Sequence, residues 1–381
     1  MKNTDEFPLQ DDRIYLNYAA NSPWPQRTLM AIERLSKKMN AGIISYRDWM
    51  QAEENLREQL RQFIDAPSVE DIALLKNTSE GLSIVAHGLD WKSKDNVVIT
   101  DQEFPSNRIV WQSLENQGVV VREAAIHGKA SEGESPEAII EHCCDEHTRL
   151  IAVSSVQYAT GLRMNLDRIG RFCRERNILF CVDAIQSLGA IPMDVQAIGA
   201  DFLVADGHKW MLGPEGVAVF YCRRELRHEL RLHQYGWHMV EDLLDFDAKD
   251  WKISESARRF ECGSLNTLGI YALSASLSLL METGMEAVSK GVLQNTAYLL
   301  DAITGSKKLS LVSPAIIVNN PARRSGIVTF RASTDPSQLF KKLIASGIIC
   351  SLRGGGIRFS PHFYTPIKKL EAAMEQVEYL A

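Results

Sequence analysis

Short segments that are apolar throughout alternate with helical stretches from about residue 70 onward, and this alternation constrains the fold most. The segments are Val97-Val-Ile99, Val119-Val-Val121, Leu150-Ile-Ala-Val-Ser154, Leu179-Phe-Cys-Val182 and Val217-Ala-Val-Phe-Tyr-Cys222. Strands without a polar face are typical of a parallel sheet covered by helices on both sides. The pattern therefore predicts an α/β fold with a mostly parallel sheet. Ligands bind such sheets at the carboxyl ends of the strands, so we expect functional residues directly after the strands.

The remaining segments predict a second, smaller domain. Residues 26–64 have apolar residues at helical spacing, and residues 267–303 also read as long helices. The C-terminal part has strand-like segments and two further helices, at 326–331, 336–346, 347–352, 356–360 and the C-terminus. We predict a large domain over residues 20–265 and a small α+β domain formed by residues 1–19 and 266–381.

Composition excludes several classes of function. The net charge of −6 argues against a nucleic-acid partner, because phosphate backbones require clustered Lys and Arg. The seven scattered cysteines do not form a disulfide framework, and no apolar signal segment or run of 18 apolar residues is present. We therefore expect a cytoplasmic protein without a membrane partner. Cys143 and Cys144 are adjacent and lack the spacing of zinc ligands, so we predict no metal site.

Two residues that follow predicted strands carry the first chemical signal. Lys209 comes just after the apolar run Phe202-Leu-Val-Ala205, beside His208, and Asp183 ends the run that begins at Ile178. They are 26 residues apart, about one strand–helix–strand step, so neighbouring strands can present them together. A buried lysine is costly unless it is paired or used covalently. An acid and a lysine so placed suggest a site for an aromatic nitrogen cofactor held as a Schiff base.

Each candidate position also has a plainer interpretation, which the residues alone leave open. Lys209 can be a surface turn residue, and Asp183 can cap the next helix. The segment Asn77-Thr-Ser-Glu-Gly81 opens a helical stretch, where hydroxyl and backbone N–H groups can bind an anion or only cap the helix. Arg358, in Gly354-Gly-Gly-Ile-Arg-Phe-Ser360, can capture a carboxylate or form a structural salt bridge.

Three motifs taken together resemble one family. They are Val182-Asp-Ala-Ile-Gln-Ser187, Asp206-Gly-His-Lys-Trp-Met-Leu-Gly-Pro-Glu-Gly216 and Arg259-Phe-Glu-Cys-Gly-Ser-Leu-Asn-Thr267. Over nearly its whole length the chain resembles the class V aminotransferase superfamily, which includes cysteine desulfurases, kynureninases and isopenicillin N epimerase-like proteins. The resemblance implies pyridoxal 5′-phosphate as the cofactor and an architecture like that of aspartate aminotransferase. It also implies an amino acid or small amine as substrate, and a homodimer.

The resemblance further implies roles around the cofactor. Lys209 would form the Schiff base and then act as the base at the substrate Cα. Asp183 would pair with the pyridine nitrogen and Gln186 with the phenolic oxygen. The residues implied at the phosphate are Thr78, Ser79, His208 and, across a dimer interface, Ser264. Asp206 stands where desulfurases often have a serine, and a carboxylate beside a phosphate is repelled unless something bridges them.

The remaining implied residues lie near the ring and the substrate. Phe104, in Glu103-Phe-Pro-Ser-Asn107, would stack on the ring, and Gln157 would lie near cofactor and substrate. Arg358 would bind the α-carboxylate, and Asn17 would lie near the substrate. Without the resemblance, Phe104 would be interpreted as a core residue, and Gln157, Ser264 and Asn17 as local turn or cap residues.

The reaction depends on whether a mobile cysteine is present. The resemblance implies that desulfurases carry a cysteine nucleophile on a loop shortly before the carboxylate-binding arginine. Cys350 precedes Arg358 by eight residues but lies in the strand-like run Gly347-Ile-Ile-Cys350, so we interpret it as a core cysteine. Phe104 also stands where desulfurases usually have a histidine. The sequence therefore disfavours a desulfurase and favours an aminotransferase, with an epimerase or a C–S or β-lyase left open.

Two hypotheses come from other classes of function. A nucleotide-binding protein would use Gly354-Gly-Gly356 as a phosphate loop, but the chain lacks the GxxxxGK[ST] and GxGxxG spacings. A catalytically silent scaffold would keep the fold without turnover.

Overall fold

The computed structural model describes residues 3–8, 13–127 and 133–381. The strands are β1 (Ile14–Tyr15), β2 (Ile72–Leu75), β3 (Asn96–Thr100), β4 (Val120–Ala124), β5 (Thr148–Ser154), β6 (Leu179–Asp183), β7 (Phe202–Asp206), β8 (Ala218–Cys222), β9 (Leu309–Leu311), β10 (Val328–Ala332), β11 (Ile348–Ile349), β12 (Ser351–Arg353) and β13 (Gly356–Phe359). The helices are α1 (Asn3–Glu6), α2 (Gln26–Asn40), α3 (Tyr46–Phe63), α4 (Thr78–Gly88), α5 (Ser106–Gln112), α6 (Pro136–His142), α7 (Leu166–Arg176), α8 (Val195–Ile198), α9 (Thr267–Thr283), α10 (Met285–Gly305), α11 (Ile316–Asn319), α12 (Pro336–Ala345) and α13 (Ile367–Leu380).

The main sheet has seven strands in the order β2-β8-β7-β6-β5-β3-β4. β4, β3, β5, β6 and β7 pair in parallel, and only β8 runs antiparallel to its two neighbours. Successive residues of a strand point to opposite faces, so Ile151 belongs to one apolar core and Ala152 to the other. This double burial explains why the strands are apolar throughout. The predicted α/β fold with a mostly parallel sheet is confirmed.

A second, four-stranded antiparallel sheet has the order β12-β13-β10-β9, and β1 pairs in parallel with β11. Through β1 the N-terminal segment contacts the C-terminal part of the chain. Helix α9 packs on α2 and α3, so the large domain extends contacts beyond residue 265. The domain boundaries at residues 19 and 265 remain a prediction.

Helices α9 and α10 are the most apolar long helices, and they meet at Gly284. No single described helix is both long and apolar enough to cross a membrane; α9 and α10 meet those criteria only as a pair, which is bent by 86°.

Candidate active site

Asp183 and Lys209 lie together at the carboxyl edge of the main sheet. Asp183 is the last residue of β6, and Lys209 follows the end of the adjacent parallel strand β7 by three residues. Both are buried, with 2% and 9% of their surface exposed. The two strands therefore place an acid and a lysine side by side, as the spacing in the sequence predicts.

The backbone around Lys209 is tightly held. The N–H of Leu212 donates to the Lys209 carbonyl, and the Ser22 hydroxyl donates to the same carbonyl from the N-terminal turn. Leu212 has a φ of +63°, a left-handed conformation that costs free energy for a leucine. A side chain at Gly213 would lie 2.6 Å from the Leu273 Cδ1 atom of α9. This strained, glycine-dependent loop fixes where the lysine side chain begins.

Burial shifts the pKa values of both Lys209 and Asp183 so that the neutral form of each becomes more favourable. Burial lowers the pKa of Lys209 to about 8, although the charge of Asp183 opposes the change. Burial likewise raises the pKa of Asp183 to about 7, with the N–H of Ile185 and the charge of Lys209 acting in the other direction. A lysine with a lowered pKa has more neutral amine near neutral pH, which is the form that acts as nucleophile or base.

Phe104 lies over the lysine at the pocket opening. The Lys209 Nζ atom is 5.7 Å from the centroid of the Phe104 ring. The Phe104 side chain is 40% exposed, and its ring contacts Tyr158 edge-on at 5.2 Å. The interpretation of Phe104 as a core residue, made without the resemblance, is therefore wrong. An open aromatic face near the lysine suits stacking on a flat cofactor ring.

A buried carboxylate that the sequence analysis missed, Glu103, organises this side of the site. Its carboxylate accepts hydrogen bonds from the N–H and the hydroxyl of Ser154, the latter at 2.5 Å, and from the Asn107 amide at 2.9 Å. It also accepts one from the Gln157 Nε2 atom at 3.2 Å. Gln157 is thus held beside Phe104 by a buried network. Glu103 follows β3 by three residues, so the rule that directs attention to residues after strands also points to it.

Thr78, Asp206 and His208 meet at the first turn of α4. The Asp206 N–H donates to the Thr78 hydroxyl at 3.1 Å. The Asp206 carboxylate lies 2.9 Å from the His208 Nδ1 atom. The His208 imidazole therefore faces the Asp206 carboxylate. In this position the imidazole can bridge the carboxylate and a phosphate, which would otherwise repel each other. Ser79 is exposed on the same turn, and its hydroxyl donates to Ser106 at 2.9 Å.

The Gln186 side-chain amide already forms two hydrogen bonds with other protein groups. Its Nε2 atom donates to the Ala19 carbonyl at 3.0 Å, and its Oε1 atom accepts from the Trp210 indole at 3.0 Å. The amide has two N–H groups, so one of them remains for a ring oxygen. The structure therefore holds Gln186 next to the lysine loop through Trp210.

Arg358 enters the site from the small sheet. It lies on β13, is 2% exposed, and donates from Nη1 to the Tyr158 carbonyl at 2.7 Å. Burial lowers the pKa of Arg358 to about 9, and the neighbouring charge of Arg353 adds to this effect. Among the described residues no carboxylate forms a salt bridge with Arg358, so the structural salt bridge considered from the sequence is absent there. Asn17 lies next to the neighbouring strand β12, where its Oδ1 atom accepts a hydrogen bond from the Ser351 hydroxyl at 2.5 Å.

Ser264 lies on the surface, three residues before α9. It is exposed and lines a surface cavity with Lys76, Glu80 and Gly216. The segment just before it is anchored by a buried cluster in which His238 lies between Glu53 (3.1 Å) and Glu261 (3.3 Å). Burial would lower the pKa of His238, but hydrogen bonds and charges from these two carboxylates raise it to about 9.

Cys350 is buried between β11 and β12, with 4% of its surface exposed. Burial raises the pKa of its thiol to about 12, so it is not a reactive thiolate. The chain from β12 to β13 is closed by a turn at Gly354 and Gly355, whose φ angles are +57° and +74°. The approach to Arg358 is therefore a tight hairpin without a cysteine.

These residues fit pyridoxal 5′-phosphate. The buried Asp183 carboxylate suits a protonated pyridine nitrogen, and its Oδ1 atom is already oriented by the Ile185 N–H at 3.0 Å. The α4 N-terminus suits an anion, because its first N–H groups and the helix dipole are directed toward it.

Comparison with known proteins agrees with this chemistry. The family model described as aminotransferase class-V matches residues 14–363. The chain belongs to this family. A relative from Methanothermobacter thermautotrophicus, named a probable cysteine desulfurase, is 32% identical and the alignment covers 99% of this chain and 96% of the relative. Another probable cysteine desulfurase, from Pyrococcus abyssi, is 27% identical over 98% of this chain and 96% of its own length.

Solved structures share the fold. The apo structure of a cysteine desulfurase from Thermococcus onnurineus NA1 has a TM-score of 0.87 at 25% identity, covering 99% of this chain and 97% of the other. A complex of the cystine C–S lyase C-DES with cysteine persulfide has a TM-score of 0.89 at 22% identity, covering 98% and 99%.

This class V family member is a pyridoxal-phosphate-dependent enzyme, as the resemblance in the sequence implies. The expected aminotransferase activity is not confirmed, because the relatives are named desulfurases. Among the alternatives left open by the sequence, C–S bond cleavage agrees best with those names.

Proposed function

We propose that this enzyme is a C–S lyase that cleaves the Cβ–S bond of a cysteine-derived amino acid by β-elimination. The names of the relatives support chemistry at this bond, since a desulfurase removes sulfur from cysteine. The observation that carries the choice of elimination is the glycine turn before Arg358. A desulfurase needs a protein thiol to accept the sulfur, and Cys350 is buried with a raised pKa. The sulfur must then leave with the product.

Each side chain has a defined task in this proposal. Bound pyridoxal phosphate would act as an electron sink for the substrate Cα, with Asp183 holding its ring nitrogen protonated. Arg358 binds the α-carboxylate through its free guanidinium edge. Lys209 takes the proton from Cα, for which burial has prepared its amine. Phe104, whose ring lies 5.7 Å from the Lys209 Nζ atom, would stack on the bound cofactor and limit water at the reacting carbon.

The overall reaction balances without an oxidant or reductant. The Cα–H and Cβ–S bonds break, the sulfur leaves as a thiolate, and a proton returns to it. One water then hydrolyses the three-carbon fragment to pyruvate and ammonium. One thiol, one pyruvate and one ammonium therefore form from each substrate.

The test is a product analysis with L-cystine and the holoenzyme, without any added keto acid. We expect pyruvate, ammonium and a sulfur product in equal amounts, and no turnover by Lys209→Ala. An absolute requirement for a keto acid would instead establish an aminotransferase. Accumulation of the D-isomer without pyruvate would establish an epimerase. Either of these results contradicts the proposal.

We further propose a homodimer in which Ser264 completes the phosphate site of the partner. The support is the position of Ser264, which is exposed and lines a surface cavity that does not include Lys209. The test mixes Lys209→Ala with Ser264→Asp, in which a carboxylate would repel the phosphate. One site of the mixed dimer would combine an intact Lys209 with an intact Ser264, so activity should return. No recovery in a verified mixed dimer would contradict the proposal.

A further inference from the structure

Arg353 lies on the same face of the small sheet as Arg358. In the β12–β13 hairpin, Ser351 is directly opposite Arg358, and Arg353 is opposite Gly356. Side chains two residues apart on a strand point to the same face of a sheet, so Arg353 and Ser351 are on one face. Directly opposed residues also point to the same face, so Arg358 is on that face with Ser351. Arg353 and Arg358 are therefore diagonal neighbours, a relation in which positions are separated by about 7–8 Å.

This face of the hairpin is directed toward the active site. Arg358 donates to the Tyr158 carbonyl, and Thr329, opposite it on β10, donates to the Ala159 carbonyl at 2.6 Å. Ser351 donates to Asn17. The other face is directed into the apolar core, through Ile357 and Phe330. Arg353, which is exposed, therefore lies at the solvent-facing end of the hairpin face that carries the buried Arg358.

The charges agree with this placement. After burial and the charge of Asp183, the pKa of Lys209 is affected by Arg358, Asp206 and Arg353 in that order; the two arginines lower it and Asp206 raises it. The Arg353 Nη1 atom donates to the carbonyl of Leu352 at 2.9 Å. No carboxylate among the described residues forms a salt bridge with Arg353. The pocket thus presents two guanidinium groups, whereas a simple amino acid has one carboxylate.

We propose that Arg353 binds a second carboxylate of the substrate, on the far side of the sulfur. This inference rests on the proposed C–S lyase function and names its substrate class: cysteine derivatives whose sulfur carries an arm that ends in a carboxylate. The diagonal spacing suits two carboxylates joined by a chain of roughly four to six atoms. Disulfide-linked and thioether-linked diacids share this chemistry. Because Arg353 is solvent-exposed, its contribution is smaller than that of Arg358.

The discriminating substrates are S-(2-carboxyethyl)-L-cysteine and its uncharged, isosteric amide S-(2-carbamoylethyl)-L-cysteine. For the wild-type holoenzyme we expect kcat/KM, measured by pyruvate release, to favour the acid by about threefold to fivefold, the effect of a solvent-exposed ion pair. Arg353→Gln should reduce this preference to near one; losing the Arg353 charge near Lys209 affects both substrates alike and cancels in the ratio. Arg353→Lys should retain part of the preference. Arg224→Gln, which removes an exposed arginine beyond β8 at the opposite edge of the main sheet, should retain all of it.

A binding measurement separates this inference from the proposed reaction. Suberate and octanoate have chains of equal length and no amine, so they bind without reacting. Calorimetry should show tighter binding of suberate to wild type and similar binding of both acids to Arg353→Gln. L-cystine and S-(2-carboxyethyl)-L-cysteine, compared by pyruvate release, distinguish a disulfide from a thioether substrate. A preference for acid or suberate that survives in Arg353→Gln overturns the inference. Absence of pyruvate from every substrate, with the suberate preference intact, overturns only the proposed reaction.

Discussion

The substitution Asp183→Asn should stabilise the apoenzyme while weakening the holoenzyme. The Asp183 carboxylate is buried, and burial raises its pKa from 3.8 to about 7. A group whose folded pKa is raised binds protons more tightly in the folded state, so an acid of this kind destabilises the fold as the pH rises. The penalty begins near pH 3.8 and is complete above about pH 7. At 1.36 kcal/mol for each pH unit, it reaches about 4 kcal/mol.

Asparagine removes this penalty because it is uncharged and has the same shape. Its Oδ1 atom can still accept the hydrogen bond from the Ile185 N–H. Lys209 loses a counter-charge, but its pKa of about 8 allows it to release its proton at pH 8.5 at little cost. We therefore expect the apoenzyme to gain about 2–4 kcal/mol at pH 8.5, and clearly less at pH 5. In the holoenzyme the pyridine nitrogen loses its partner, so affinity for the cofactor should fall.

The assay is urea unfolding of apo and holo forms at pH 5 and pH 8.5, followed by circular dichroism, with cofactor binding measured by visible absorbance. Asp71→Asn is a matched control, because Asp71 is a buried carboxylate paired with Arg227 away from the site. That substitution removes the nearer carboxylate partner of a buried arginine, leaving only Glu70 at 4.0 Å, and should destabilise apo and holo forms alike. An Asp183→Asn apoenzyme no more stable than wild type at pH 8.5 would refute the reasoning.

Three further predictions follow from individual contacts. Arg358→Gln should raise KM for carboxylate substrates by about one to two orders of magnitude, because a charged hydrogen-bonded pair is lost; steady-state kinetics with an unchanged KM would remove Arg358 from its role. The His238 pKa is raised to about 9, so its stabilisation of about 3 kcal/mol is present below pH 6.5 and lost as the pH rises through 9. His238→Gln should therefore flatten the fall in urea midpoint between pH 7 and 9, and an unchanged slope would count against the cluster. Glu103→Gln should lower kcat more than it raises KM, since Gln157 loses its carboxylate anchor at 3.2 Å; a change confined to thermal stability would show a purely structural residue.

The fold was largely predictable because the strands of the main sheet are buried on both faces and therefore consist of apolar residues throughout. The short strand β9 lacks this apolar pattern, since only Leu309 of its three residues is buried. Lys209 and Asp183 were predictable from their positions after adjacent strands. The sequence does not identify Glu103, because its hydrogen-bond partners Ser154 and Gln157 come from a distant segment of the chain. It does not identify Arg353, because the face on which Arg353 lies depends on the register of the β12–β13 hairpin. The proposed role of Ser264 requires a second chain, so it has no counterpart in the contacts of a single one.

The alternatives at single positions were also decided by tertiary contacts. A phenylalanine is equally suited to a core or to an open ring face, and only the 40% exposure of Phe104 separates the two. For Cys350, in contrast, the apolar neighbours in the sequence predict a core cysteine, and its 4% exposure confirms this.

The central claim is that the sulfur leaves with the product and is not accepted by a protein thiol. The most direct measurement is the ratio of pyruvate to alanine formed from L-cystine and from L-cysteine by wild type and by Cys350→Ala, with intact mass of the protein recorded during turnover. The account predicts pyruvate without alanine and equal rates for both proteins, and no sulfur bound to the chain when L-cysteine is the substrate. Alanine as the three-carbon product, with an added sulfur on wild type that Cys350→Ala lacks, would contradict it.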